Sequence, residues 1–420
     1  MKLAATSHHI QERLMKKAML ATIAMVVLTS SLVAVTRSPA SPSATSAEAP
    51  KLTRAVVMAG LQEPWDIAFT PDGVMLFTEK GRGVSARLAD KKTVRLFGTN
   101  GSALVAPDLF CEGQSGVHGI AVDPDFAKGT RDIYVYIASN LRKPATNRVV
   151  RLTVNADYTS VGNRTDIIED ISYKNAANGA GIAGAHSGGR IRFGPDRFLY
   201  VSTGDNHNAT LPQDLKRLSG KVLRVSRDGT AAPGNNTPAG GDPRIFTYGH
   251  RNVQGITFRP AGQPNAGQPF AAEHGPNHTD EVTALVAGGN AGWDPQNRPG
   301  LRCPDNYCGY AGDPTTMPMT DMQRFPKAMP PSWAYNGSGR GMDSALFLDG
   351  KQWRGWNGRL LVSLMGGQRI AVLELDARGM ATNEATVELP ATRTRTLVQG
   401  PDVNLYTAND DGEVWRVVPR

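Results

Sequence analysis

The sequence predicts an all-β chain, a six-bladed β-propeller with long loop insertions on one face. Three observations carry this. Six stretches share one local signature, an apolar strand, a turn and a second apolar strand; they begin near Pro64, Gly116, His186, Arg251, Gly341 and Arg393. Within them apolar residues alternate with small or polar ones, as over 133–137 and 414–418, which is strand period and not helix period. The turns are chemically explicit: Pro-Asp follows Thr70, Asp123, Gly194 and Gly400, placing proline where its fixed φ suits the second turn position.

A recurrence of a few tens of residues marks a repeat architecture. Closing six blades into a ring protects the edges that a long open sheet would expose. The strand near 55–58 is expected to complete the last blade and so lock the two ends together. Segments 146–178, 230–242 and 295–340 are rich in Gly, Asn and Pro and are expected to be the insertions that decorate the binding face.

Two regions are expected. Residues 1–50 read as a signal peptide or N-terminal anchor plus a flexible linker, and 51–420 as one propeller domain; closed β folds run large as single units. Arg13, Lys16 and Lys17 precede an apolar run over 18–35, followed by small residues, the pattern of an export signal. The body is therefore expected in the periplasm or outside the cell, membrane-attached through 18–35 if the segment is not cleaved. The net charge of +8 includes no dense basic run in the body, which argues against a nucleic-acid partner. Of the three cysteines, Cys303 and Cys308 are expected to pair locally in an oxidising compartment and Cys111 is left over. No second pair stands at zinc spacing, and no Cys-x-x-Cys-His for haem attachment occurs.

Four stretches carry candidate chemistry. His186 lies in a glycine-rich run directly before a strand; a histidine at the inner end of a blade can act as general base or simply satisfy loop backbone. Arg251, Asn252 and Gln254 are planar polar groups that suit a flat ligand rich in carbonyls or carboxylates; the alternative is an ordinary polar turn. Gly275 and Pro276 offer backbone carbonyls in a constrained turn followed by Asp280 and Glu281, an oxygen-rich loop that suits Ca²⁺. Arg393 and Arg395 alternate onto one side of a strand, where they suit an anionic ligand or form a solvated face.

Taken together the chain resembles the soluble PQQ-dependent sugar dehydrogenases, the glucose/sorbosone dehydrogenase family. The resemblance rests on Pro-Trp-Asp-Ile-Ala-Phe (64–69), Gly-Gln-Ser-Gly-Val-His-Gly (113–119), His-Ser-Gly-Gly-Arg (186–190), Gly-His-Arg-Asn-Val-Gln-Gly (249–255), Glu-His-Gly-Pro (273–276) and Gly-Gly-Asn-Ala-Gly-Trp (288–293), in that order. It implies a six-bladed propeller that binds pyrroloquinoline quinone (PQQ) with Ca²⁺ and oxidises a sugar. His186 would take the proton from the anomeric hydroxyl as hydride moves to the quinone. Gln114 would sit near cofactor and reacting hydroxyl. Arg251 would stabilise charge on the quinone oxygen, and Asn252 would contact the cofactor. The carbonyls of Gly275 and Pro276 would hold Ca²⁺, Arg393 and Arg395 would pair with PQQ carboxylates, and Asp280 would lie at the substrate rim. Electrons would pass to an external acceptor, a cytochrome or a quinone.

The chain departs from the family pattern at three places. Met365 stands where the family often has a Lys that pairs with PQQ, with Arg369 a candidate to reach in. Ala185 replaces an Asp that would orient the catalytic imidazole, so another group is required. Ala291 replaces an aromatic near a second Ca²⁺ site of some members. Two other readings stand beside this one: a cofactor-free propeller that binds saccharide or protein, and a lactonase-type hydrolase.

Overall fold

The computed structural model describes residues 48–420 apart from 176–181, 297–308, 312, 314–315 and 339. The segment expected as export signal, and Cys303 and Cys308, lie outside the described residues. Cys111 is exposed and free.

Six sheets follow one another along the chain, each built on four antiparallel strands, two of them with a short parallel fifth at Leu104–Val105 or Gly289–Asn290. Blade 1 is built from strands Pro64–Phe69, Met75–Glu79, Gly83–Arg87 and Thr93–Gly98; blade 2 from Val117–Val122, Asp132–Ser139, Thr146–Val154 and Val161–Ser172. Blade 3 comprises Ile191–Phe193, Leu199–Ser202, Lys221–Val225 and Ile245–Tyr248, and blade 4 Val253–Phe258, Pro269–Glu273, His278–Ala284 and Trp333–Ser338. Blade 5 comprises Met342–Phe347, Leu360–Leu364, Arg369–Leu375 and Ala381–Thr386. Blade 6 takes three strands from the end of the chain, Thr394–Gln399, Leu405–Asn409 and Val414–Pro419, and its fourth, Leu52–Met58, from the beginning. That last pairing is antiparallel, with Leu52 opposite Pro419 and Val56 opposite Trp415. The ring is thus closed as the sequence led us to expect.

Alternating strands have two faces, and in a ring each face meets a neighbouring blade. The apolar clusters accordingly lie between blades. One joins Leu76, Val84 and Phe97 of blade 1 to Val117 and Ile133 of blade 2, and five others repeat the arrangement around the circle. The first strand of every blade neighbours the first strand of the next, blade 6 returning to blade 1. These six strands line the axis.

At the axis sits a buried ion pair. Asp66, in the first strand of blade 1, meets Arg190 at 2.6 Å. Arg190 precedes blade 3 and donates to the carbonyls of Gln254 in blade 4 (2.9 Å), Asp343 in blade 5 (3.0 Å) and Arg395 in blade 6 (2.9 Å). Asp66 also accepts the Ile120 N–H of blade 2 (3.0 Å), two guanidinium bonds from Arg192 and the Thr396 hydroxyl (2.8 Å).

Two of the three expected insertions are not insertions throughout. Segment 146–178 is mostly the outer half of blade 2, and 333–338 at the end of the third segment is the outer strand of blade 4. Their polar residues alternate with buried Val and Ile, as in Val149, Val150, Leu152, Ile168 and Ile171; an outer strand with one polar face is hard to separate from a loop by composition. Segment 230–242 is a loop, but none of it lines the central cavity.

Replacing Asp66 by Asn leaves Arg190 as a buried cation without its counter-charge. The expected cost is about 3–5 kcal/mol, measured as a fall in the denaturant midpoint of the full chain.

Candidate active site

The segments that lead into the first strands of the six blades converge on one cavity of about 550 Å³. Every blade contributes: Trp65, Gln114, His186, Arg251, Arg340 and Arg393 are examples in chain order. Of the residues singled out from the sequence, Gln114, His186, Arg251, Asn252, Gly275, Asp280, Arg393 and Arg395 line it and Pro276 does not.

One wall is a stack. The Arg190 guanidinium lies 4.1 Å from the centre of the Trp65 ring. Trp65 stacks on His118 at 4.7 Å, and His118 on Tyr136 at 5.8 Å. This packing explains the glycines of the 186–190 motif. Gly189 has φ +104°, and a Cβ there would stand 2.5 Å from His118 Nδ1; Gly188, at φ +62°, would meet the Thr203 backbone at 2.6 Å.

His186 itself has φ +50°, an uncommon conformation for a residue with a side chain and one that recurs at functional sites. Its N–H donates to Gln114 Oε1 (3.1 Å). Its Nδ1 lies 2.7 Å from Asp205 Oδ1. Asp205 therefore does what the missing acid at Ala185 would have done, from a different segment. The Asp205 carboxylate is fully buried and also receives Trp293 Nε1–H (2.8 Å), the Tyr310 hydroxyl (2.8 Å) and the His207 N–H (2.8 Å). Burial opposes its ionisation, but His186, Arg251 and the Trp293 donor outweigh burial and hold the carboxyl below its ordinary value. An ionised carboxylate only accepts, so Nδ1 carries the imidazole proton and Nε2 keeps its lone pair. Burial, reinforced by the nearby Arg251 cation, lowers the His186 pKa to about 4. The imidazole is neutral at neutral pH and can accept a proton at Nε2.

Arg251 is fixed from two sides. Its N–H donates to Glu273 Oε2 (2.9 Å), and its Nη1 to the His274 carbonyl (3.0 Å). Glu273 is braced in turn by His250 (2.9 Å). Asn252 Oδ1 accepts the Gly188 N–H at 3.2 Å, tying the blade 4 turn to the histidine loop. Asp280, expected at the substrate rim, is instead buried and engaged: its carboxylate accepts the N–H groups of Gly275 (2.9 Å), Gly341 (2.7 Å) and Arg340. It braces the Gly275 turn and has no oxygen left without a protein donor. Arg393 and Arg395 share Asp410, and Arg395 also pairs with Asp343 at 3.0 Å. Arg369 does not reach the cavity; it pairs with Glu384 on the neighbouring strand.

Two observations bear on what the cavity takes. Its cations are Lys80, Arg251, Arg340, Arg393 and Arg395, against the carboxylates of Glu63 and Asp280. Arg251 Nε, Gln254 Oε1 and Arg340 Nε are buried without a hydrogen-bond partner, and buried polar atoms left unpaired in a native site point to a ligand. A flat, polycarboxylated quinone fits planar cations and amides of this kind. For Ca²⁺ the donors on offer are backbone carbonyls. Among the described residues neither the Gly275 nor the Pro276 carbonyl receives a hydrogen bond, and no three His, Cys, Asp or Glu side chains gather as a metal cluster.

Asp205, Tyr310, Trp65, His118 and Arg340 were not singled out from the sequence as site residues. Trp65 and His118 open first strands within motifs already noted, so their position in the repeat was a usable signal. Asp205 ends the strand-and-turn stretch after His186. Tyr310 is held by its bond to Asp205 and by a small apolar cluster with Trp293, Met317 and Met319, for which no local pattern exists.

The fold and this cavity define a class: propeller oxidoreductases of the sugar dehydrogenase type. The chain belongs to the Glucose / Sorbosone dehydrogenase family, whose profile matches residues 61–416. It is 29% identical to quinoprotein glucose dehydrogenase B of Acinetobacter calcoaceticus over 327 residues, 71% of this chain and 62% of that one. It is 25% identical to aldose sugar dehydrogenase YliI of Escherichia coli, over 87% of this chain and 92% of that one. The PQQ-bound aldose sugar dehydrogenase of Streptomyces coelicolor superposes with a TM-score of 0.67 at 25% identity, over 89% of this chain and all of the other.

A histidine titration followed by NMR on the full chain should show the His186 ring neutral from pH 8 to 5 and taking up its proton near pH 4. In Asp205→Asn the midpoint should fall further, because the carboxylate favours the imidazolium.

Proposed function

We propose that the chain is an exported quinoprotein that oxidises an aldose or related sugar at its anomeric carbon, giving the lactone or acid. It would use PQQ and Ca²⁺ and pass electrons to an external cytochrome or quinone. The observation that carries this reading is the neutral His186, oriented by Asp205, in the same cavity as a surplus of cations. Family membership and the quinoprotein relatives support it.

His186 Nε2 takes the proton of the anomeric hydroxyl, and Asp205 stabilises the imidazolium that forms. Gln114 holds the His186 backbone and keeps its side chain at the wall where the sugar enters. The bound quinone supplies the two-electron acceptor for the hydride. Arg251 lies close enough to His186 to lower its pKa and supports negative charge developing in the cavity. Asn252, Arg393 and Arg395 hold the cofactor's polar edge. The Gly275 and Pro276 carbonyls are hard oxygen donors suited to Ca²⁺, and Asp280 keeps that turn in place. A lactonase-type site would instead need converging side-chain carboxylates, and the acids that line this cavity are spent, Asp280 on backbone donors and Glu63 on Lys80.

The test is dye reduction by the apoprotein reconstituted with PQQ and Ca²⁺ against a panel of aldoses and sorbosone. Activity should require both additions. His186→Ala should lower kcat by about 10²–10⁴, and Arg251→Gln by about 10²–10³ with a smaller change in KM. Lactone hydrolysis without an electron acceptor, or no activity in any reconstituted sample, would contradict the reading.

A further inference from the structure

We propose that Arg340 anchors a carboxylate of the bound cofactor, supplying from the link between blades 4 and 5 the cation that blade 5 lacks at Met365. The inference rests on the quinoprotein reading above.

The argument begins with charge. Arg393 and Arg395 face two carboxylates, Asp410 and Asp343, so that pair of cations is already neutralised. Lys80 is likewise paired, with Glu63. Among the described residues Arg251 and Arg340 are the cavity cations whose side chains make no ion pair with a carboxylate. Arg251 is tied to the His274 carbonyl beside His186, at the catalytic side. Arg340 is the free charge elsewhere on the wall.

Its position is fixed by the strand that carries Met365. The Met365 N–H donates to the Gly341 carbonyl (2.8 Å), and the Gly366 N–H donates to the Arg340 carbonyl. The side chain then runs over the two glycines of the turn: a Cβ on Gly367 would stand 3.1 Å from Arg340 Cδ. A larger residue at 367 would push the guanidinium away. Tyr335 holds the far end, its hydroxyl accepting from Nη2 at 2.8 Å and its ring 5.1 Å from the guanidinium carbon. Nε is left buried without a partner. A guanidinium oriented at both ends, uncompensated, with its buried Nε–H unspent, is prepared for an anion and not for stability.

Met365 occupies the neighbouring wall and brings its sulfur 3.3 Å from Arg393 Nη2. A lysine there would set a third cation between Arg340 and Arg393. The swap therefore keeps one anchoring charge while moving it to the adjacent segment.

The experiment is a titration of the full-length apoprotein with PQQ in the presence of Ca²⁺, followed by calorimetry or fluorescence quenching. Arg340→Gln should weaken binding by roughly tenfold to a hundredfold, the loss expected for a hydrogen bond to a charged group. It should also flatten the dependence of affinity on salt, because one ionic contact has gone. The thermal midpoint of the apoprotein should shift only slightly, since no ion pair is broken and only the Tyr335 contacts are lost. Adding Met365→Lys to Arg340→Gln should recover most of the affinity. Wild-type affinity in Arg340→Gln, or a loss that Met365→Lys does not relieve, overturns the inference while leaving the quinoprotein reading intact. Failure of the unaltered protein to take up PQQ removes both.

Discussion

Asp66 and Arg190 meet at the axis of the ring, where neither has access to water. Removing two charges from water costs several kcal/mol per ion, and their attraction repays this only when the remaining donors and acceptors are also satisfied. Here the remaining bonds come from the other blades. Ile120, Arg192, Gln254, Asp343, Arg395 and Thr396 each contribute one or more. Burial lowers the Arg190 pKa to about 10, and the two guanidiniums overcome burial to keep Asp66 ionised, so the pair is charged at neutral pH. A shift of any one blade would unsatisfy the hub. The apolar layers between blades supply attraction without direction, while the hub fixes the angular position of every first strand.

The catalytic geometry inherits that precision. Arg190 holds Trp65 from one side and closes the motif that starts with His186. The histidine loop is therefore anchored at the point where the ring is most rigid, four residues from the imidazole. Asp205, Tyr310 and Trp293 then set the ring orientation from a second direction. The electrostatics follow a division of labour. Arg393 and Arg395, neutralised by Asp410 and Asp343, offer hydrogen-bond donors with little net charge, while unpaired arginines offer charge as well.

Much of this was readable from the sequence because the repeat places equivalent residues in equivalent positions. The six starts near Pro64, Gly116, His186, Arg251, Gly341 and Arg393 are where the cavity-lining residues cluster, so finding the repeat also found most of the site. What failed to show was of two kinds. Outer strands such as Thr146–Val154 and Trp333–Ser338 have one solvent-facing side and mimic loops in composition. Contacts such as Asp205 with His186, or Arg340 with the Met365 strand, join segments whose spacing obeys no short-range rule. The same distinction explains Arg369. Proximity in sequence to Met365 made it the candidate replacement, but the turn over 365–368 starts a new strand at Arg369, opposite Leu364, where the guanidinium meets Glu384.

The pairing of Leu52–Met58 with Val414–Pro419 has a consequence for how the molecule is made. Among the described residues the earliest strand along the chain belongs to blade 6, and its hydrogen-bonding neighbour is the latest. For the whole period of chain growth this edge has no partner and the circle cannot shut. Closing the circle therefore requires two segments far apart in sequence to pair, with Lys51 and Arg420 joined by the outermost backbone bond at 2.7 Å. A chain that stops before Val414 carries every active-site segment and no clasp.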